Sequence, residues 1–441
     1  MKSILLLVYG LFAVVGIAFA SDVALPTHFD LRIVGGKNFV SSVKYQSGGT
    51  CWTHGTMAAI ESNLMFTDAW ANAGQTGEAA LAEYHLDWWN GFNQYFNADT
   101  APNMAGLTVH EGGDYRVAAA YLARGGAVRD VDGQSFENAP KETDSSYRLF
   151  YVRDIEWLNA GSDLSSIDQI KHAILENGAI GSALAYSGSF YSTSLNSHYQ
   201  PPSSGMDPNH AVAIVGWDDS RVTQAPKPGA WLTKNSWGSG WGDGGYFWMS
   251  YYDKVAGHHP EMGAVSFRNS ELMGYNRVYS HDYHGWRDTK KDADEAFNKF
   301  VAKGNASGVE SVEAVSFYTA SNNVSYSVKV YGAFKDGELQ DQLSIKEGVE
   351  EKSGFHTVDL GWPVQVKAGD SIYVYVRLSQ GGHAFDRTSN VPVLLGSRGR
   401  VTVPSKANAG ESYYRSGLAW KDLTLDNSTA NFCIKALSFN R

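Results

Sequence analysis

The sequence predicts an α+β chain, with a mixed helix-and-strand region followed by an all-β antiparallel sandwich. Three observations lead there. The 441 residues exceed what one hydrophobic core ordinarily serves, so two folded units are expected. Hydrophobic residues make up 43% and aromatic residues 13%, enough to fill cores and too many for a disordered chain. The apolar pattern also changes period after about Asn269, from helical spacing to alternation.

The elements follow in order. Lys2, the apolar run Ile4 to Ile17 and the small residues of Ala18-Phe19-Ala20 form a secretory leader, cleaved after Ala20. The run is short for a membrane anchor, and no other segment is apolar and long enough to span a bilayer. Thr50 or Gly49 caps a helix starting at Cys51, with Trp52, Ala59, Ile60, Leu64 and Met65 at near-helical spacing. Ser165 and Asp168 read as a capping box for a second helix, whose buried face is Ile167, Ile170 and Ile174, with Asn177-Gly178 ending it. Ala211 to Trp217, Trp231 to Asn235 and Tyr246 to Met249 read as strands, the last fed by the glycine-rich turn Gly238 to Gly245.

Beyond residue 269, Val324 to Val330 and Ile372 to Leu378 alternate apolar and polar residues as half-buried strands do. The stretch Asp292 to Val301 carries the one strong helix signal there. The domains are drawn as a 1–20 leader, a 21–268 mixed domain and a 275–441 sandwich. The net charge of −10 argues against nucleic acid and anionic membrane as main partners. The two cysteines, Cys51 and Cys433, fall in different domains, so no disulfide framework holds the fold.

Cys51 opens a helix, where unpaired N–H groups and the dipole favour its thiolate. A cysteine nucleophile also needs a base, and a group to orient that base. His210 stands at the mouth of one strand and Asn235 at the end of another, so pairing of these strands brings imidazole and amide together. The stretches Val43 to Trp52, Asn209 to Trp217 and Trp231 to Gly238 together resemble the papain family of cysteine peptidases. The run N-S-W-G-x-G-W-G-x-x-G-Y, Asn235 to Tyr246, is the most specific of these marks. Pro26 to Arg32 resembles the mature start of such enzymes, and Glu111-Gly112-Gly113 their substrate-binding glycines. Tyr279 to Trp286, Thr357 to Leu360 and Asn431 to Ala436 resemble the lectin-like domain appended to some prokaryotic members.

The resemblance implies a two-subdomain papain-like peptidase, one half helical and one β-rich, that cleaves extended polypeptides outside the cytoplasm. Cys51 is then the nucleophile in a thiolate–imidazolium pair with His210, and Asn235 orients the ring. Gln46 and the Cys51 N–H form the oxyanion hole. Trp237 shields the His–Asn bond. Gly112 and Gly113 admit an extended peptide, and Asn209 lies near the S2 pocket, which takes the second residue before the scissile bond. No cofactor or metal is implied, and a glycan or cell-surface ligand is expected for the sandwich.

Three departures from the family pattern stand out. G-G-T-C-W replaces C-G-S-C-W, the Gln46-to-Cys51 interval is one residue short, and Thr53-His54-Gly55 follows the tryptophan. No room for an inhibitory pro-segment separates Ser21 from Pro26, so activity is expected without its removal. A surface adhesin or carbohydrate-binding protein with an unused peptidase fold is the competing reading, and acyl transfer to an amine a third. His54, one turn along the helix, reads as a packing residue. His110-Glu111 lacks the helix and second histidine of a zinc protease. His258-His259 and His281-x-x-His284 read as solvated pairs, Cys433 as a small core residue, and Asn305, Asn323 and Asn427 as glycosylation-type tripeptides.

Overall fold

The computed structural model describes residues 24–97, 99–100, 105–304, 308–394 and 399–439. The leader and Asn305 lie outside them. Helix α1 (Cys51–Phe66) is the central element of the first region, and every residue from Cys51 to Leu64 is buried. A helix enclosed on all sides shows no clean amphipathic stripe, which is why its sequence pattern is only near-helical. Around it pack α2 (Glu83–Trp89), α3 (Tyr115–Gly125) and α4 (Ile167–Asn177). Ser166, and not Ser165, precedes α4, and Gly178 ends it at φ 92°.

The longer strands of this region are β1 (Leu149–Leu158), β2 (Ile180–Leu184), β3 (His210–Asp218), β4 (Ala230–Lys234), β5 (Tyr246–Ser250) and β6 (Ala264–Leu272). They run side by side as β1-β6-β2-β3-β4-β5, each neighbouring pair antiparallel. The β3–β4 register places Ala213 opposite Lys234, so the start of β3 and the end of β4 lie together.

The second region holds β7 (Glu295–Val301), β8 (Val309–Thr319), β9 (Val324–Lys335), β10 (Glu338–Glu350), β11 (Gly354–Lys367) and β12 (Ser371–Leu378). The hairpin β13 (Ser389–Pro392) and β14 (Arg400–Val403) follows, then β15 (Ser412–Ser416) and β16 (Lys435–Phe439). One sheet contains β10-β9-β12-β7-β15; β16, β8 and β11 join the other. Val312, Val315, Phe317 and Val358 from one sheet meet Val328, Val330, Val374 and Val376 from the other, which is the core of a sandwich.

Two expectations change. Asp292 to Val301 is no helix: Glu295–Val301 is a strand between β12 and β15. Ala296, Asn298 and Phe300 are buried on one face, while Phe297 is buried in a separate aromatic cluster on the other. Burial of both faces erases the alternation that identifies a half-buried strand. The regions are also not separate bodies. Gly354 and Phe355 of β11 pair with Glu156 and Ile155 of β1, so one sheet runs through both. Trp52 and Tyr151 share a hydrophobic core with Phe355, Leu394 and Leu437.

Candidate active site

Thr50 precedes α1 without a side-chain cap, and its carbonyl instead gathers the first turn. The Thr53 N–H, the Thr53 hydroxyl (2.9 Å) and His54 Nδ1 (2.9 Å) all reach it. His54 is thereby tied through Nδ1 to its own helix and stacks on Phe136, a packing role.

His210 opens β3, and Asn235 follows β4. The imidazole Nε2 lies 2.8 Å from Asn235 Oδ1, so Nε2 carries the proton and donates. In a neutral ring this leaves the lone pair on Nδ1, which is buried without a hydrogen-bond partner, as is Asn235 Nδ2. Trp237 stacks on the imidazole with centroids 4.4 Å apart, and Tyr186 and Trp241 close around Trp237. His210 and Asn235 are both buried beneath this aromatic group.

Burial decides the charge state. It pushes the Cys51 thiol up to about 12, although the N–H groups of Ala211, Trp52 and Cys51 itself pull the other way. It pushes His210 down to about 4, opposed by the bond to Asn235. The helix N-terminus acts in the direction anticipated from sequence, but desolvation outweighs it. Burial thus disfavours the charged form of each group taken singly, the thiolate of Cys51 and the imidazolium of His210.

The short Gln46-to-Cys51 interval is closed by a turn at Gly48, where φ is +58°. The Gly49 N–H donates to His110 O (2.6 Å), and Gln46 N–H to Ser236 O (2.8 Å). The Gln46 side chain is held at both ends. Its Oε1 accepts from Ser236 Oγ (2.7 Å) and Trp237 Nε1 (3.1 Å), while Nε2 donates to Gly48 O (2.6 Å). Nε2 carries two hydrogens, so one is committed to the loop.

Asn209 is clamped to Tyr186, accepting from its N–H (2.7 Å) and donating to its carbonyl (3.1 Å). The two glycines sit where side chains do not fit. A Cβ on Gly113 meets Trp52 Cε2 at 2.5 Å, and one on Gly112 meets Leu394 O at 2.2 Å. Leu394 belongs to the sandwich region.

A buried ionic network that the sequence did not reveal fixes the loop before Gln46. Lys44 Nζ lies 2.8 Å from Glu61 on α1 and 2.6 Å from Glu83 on α2. Lys234, beside Asn235, donates to Ser41 Oγ (2.9 Å), which donates to Glu61 (2.5 Å). Burial lowers Lys234 to about 8, Glu61 opposing. Ser236 and Tyr186 were also missed. Ser236 lies inside the N-S-W-G run and was within reach of sequence reasoning; Tyr186 carried no local signal.

Two groupings of metal-ligating atoms occur among the described residues, Asp99–His284–Asp386 and Asp154–Glu350–His356, and neither includes Cys51, His210 or Asn235. His110 Nδ1 is engaged by Asp87 at 2.5 Å. The solvated reading of His284 is corrected: it is 1% exposed, and its Nε2 bonds Gly91 O at 3.0 Å. Cys51 and Cys433 are both buried and unbridged. No helix among the described residues is long and apolar enough to cross a membrane.

Comparison with known proteins places the two regions. The family model described as papain family cysteine protease matches residues 25–262, and the lectin like domain model matches residues 278–438. The thiol protease aleurain of Arabidopsis thaliana is 29% identical over 240 residues, 54% of this chain and 59% of the relative. Pro-cathepsin H of Medicago truncatula is 28% identical over 240 residues, 54% of this chain and 60% of that protein. The chain thus spans about three-fifths of these relatives' length. Among solved structures, the clostridial cysteine protease Cwp84 after propeptide cleavage superposes with a TM-score of 0.74. It is 22% identical, covering 94% of this chain and 99% of that one. The cysteine protease and lectin-like domains of Cwp84, a surface layer associated protein of Clostridium difficile, give 0.72 at 22% identity, covering 95% and 90%. This likeness extends the shared fold across both regions.

Proposed function

The chain belongs to the papain family of cysteine proteases, and on that premise we propose that it hydrolyses peptide bonds of extended polypeptides outside the cytoplasm, with Cys51 as nucleophile. The observation that carries this reading is the 2.8 Å bond from His210 Nε2 to Asn235 Oδ1, which leaves the Nδ1 lone pair as proton acceptor. Cys51 at the start of α1 and Ala211, one residue after His210 in β3, share one hydrophobic core, and the Ala211 N–H favours the thiolate.

From a neutral resting pair, the thiol passes its proton to His210 Nδ1 as sulfur attacks the scissile carbonyl. The oxyanion is met by the Cys51 N–H and by the second hydrogen of Gln46 Nε2, whose carboxamide is already immobilised by Ser236 and Trp237. His210 then protonates the leaving amine, and water, deprotonated by the same nitrogen, releases the acyl group. Gly112 and Gly113 form the backbone edge for the peptide. Asn209, bound to Tyr186, shapes the neighbouring wall. The domains are assigned as 21–268 for the peptidase and 275–441 for the lectin-like sandwich. Partly exposed Tyr331, Phe334, Tyr413 and Trp420, clustered on one sheet, support a glycan-binding role for the sandwich. The surface-layer association of Cwp84 supports the extracytoplasmic placement.

Incubation of the reduced protein with an unfolded protein substrate, beside Cys51→Ala, tests the reading. Cleavage by the first alone establishes the thiol mechanism. Inactivity of folded wild-type protein refutes it and favours the carbohydrate-binding alternative.

A further inference from the structure

The hairpin β13–β14 belongs to the lectin-like region in sequence but packs on the peptidase. Val391, Leu394 and Val403 are no more than 1% exposed and share a hydrophobic core with Cys51 and Trp52. Its base is fastened to the peptidase by polar contacts: Asn97 Nδ2 donates to Pro404 O (3.0 Å), and Asp99 accepts from Ser405 Oγ (2.9 Å) and the Lys406 N–H (2.6 Å). The segment after Pro392 is kept at the hairpin by the Val393 N–H, which donates to Gly399 O at 3.0 Å.

That segment lies on the two glycines. The Leu394 N–H donates to Gly113 O at 3.4 Å, and Leu394 O stands 2.2 Å from where a Gly112 Cβ would be, with Val393 Cγ1 at 2.7 Å. This is backbone laid against backbone, the way an added strand binds an edge. A peptide that pairs with Gly113 O and lies close to Gly112 needs the same acceptor and the same volume. Leu394 and that peptide therefore exclude each other.

We propose that Val393–Leu394 of the lectin-like domain is a resident, substrate-like segment that competes with the extended part of a polypeptide substrate for the Gly112–Gly113 edge. The proposal rests on the reading of Cys51 as nucleophile and of the glycine pair as the substrate edge. Its backbone bond to Gly113 is long, so a peptide that makes more contacts takes the acceptor at the cost of lifting Leu394 from its apolar seat. The cost appears as a weakened apparent affinity, while the chemical step on bound substrate is untouched.

The experiment compares two thiol reagents on the full chain, with labelling of Cys51 located by mass spectrometry. Iodoacetamide is small and does not need the edge; a tripeptidyl fluoromethyl ketone does. Leu394→Pro removes the N–H that Gly113 accepts, and Leu394→Ala reduces the apolar anchor while keeping that N–H. Near-ultraviolet circular dichroism establishes that each variant is folded. For a segment seated in about nine molecules of ten, Leu394→Pro raises the peptidyl rate constant about tenfold and lowers KM for a tripeptide substrate about as much. The iodoacetamide rate and kcat change less than about twofold in the same variant. Leu394→Ala moves the same quantities in the same direction by less. Unchanged peptidyl rates in both folded variants overturn the proposal and leave Leu394 as a packing residue. Equal acceleration of both reagents also overturns it, because the site then opens as a whole. A folded wild-type Cys51 that reacts with neither reagent, and no cleavage in any variant, would instead remove the assignment of Cys51 on which the proposal rests.

Discussion

The neutral His210 makes acid a specific probe of the resting site. Burial holds its folded pKa near 4, whereas an imidazole in the unfolded chain titrates near about 6.5. Below that value the unfolded chain takes up a proton that the folded chain refuses. Stability from this residue is therefore complete above about pH 6.5 and is lost as pH falls toward about 4. A shift of about 2.5 pKa units corresponds to about 3 kcal/mol in total, and to about 1.2 kcal/mol per pH unit around pH 5. Urea unfolding of wild-type protein and His210→Gln at several pH values isolates the effect. His85, His284 and His383 are also lowered by burial, but they contribute alike to both proteins and cancel in the difference. The wild-type advantage over the variant should shrink by about 3 kcal/mol between neutral pH and about pH 4. An advantage that grows on acidification would show an imidazolium at rest. The thiolate–imidazolium pair would then be the ground state, and the argument from desolvation would be wrong.

Other expectations follow from single contacts. Asn235→Ala removes the acceptor of the Nε2 proton and should lower kcat roughly 10- to 100-fold, with a smaller change in KM, in steady-state assays on a peptide substrate. Gly113→Ala sets a Cβ 2.5 Å from Trp52 Cε2 and should cost about 1–3 kcal/mol in thermal or urea unfolding. A wild-type melting curve for that variant would place Trp52 elsewhere. Glu61→Ala leaves Lys234 and Lys44 without their shared counter-ion, a loss of about 3–5 kcal/mol by the same measurement. Glu61→Gln should cost less, because it keeps an acceptor for the Leu81 N–H and Lys44.

What could be read in advance was local. The helix that begins at Cys51, the strand that begins at His210 and the strand ending before Asn235 are each marked by neighbours within a few residues. The N-S-W-G-x-G-W-G-x-x-G-Y run even contains Trp237, which stacks on His210. Alternation over Val324 to Val330 likewise reports one buried face and one open face, a property of the strand itself. In Ile372 to Leu378, by contrast, the alternate residues Tyr373 and Tyr375 are buried as well. Glu295–Val301 was misread for the complementary reason: both of its faces are covered, so its sequence no longer says which period it follows.

The chain order of residues determined which groups this protein can bring to chemistry: one thiol at a helix start, one imidazole, one carboxamide and a pair of glycines. Their state was decided by what packs over them. Cys51 and His210 are both fully buried, and desolvation then overrides the helix-end effect that the sequence allows one to anticipate. The same holds for Lys234, whose charge is disfavoured by burial and supported by Glu61 through Ser41, and for Gly112, whose open side is filled by Leu394. Those partners lie far along the chain from the groups they govern. Burial and electrostatic environment are sums over neighbours in space, and only the folded chain specifies which neighbours those are.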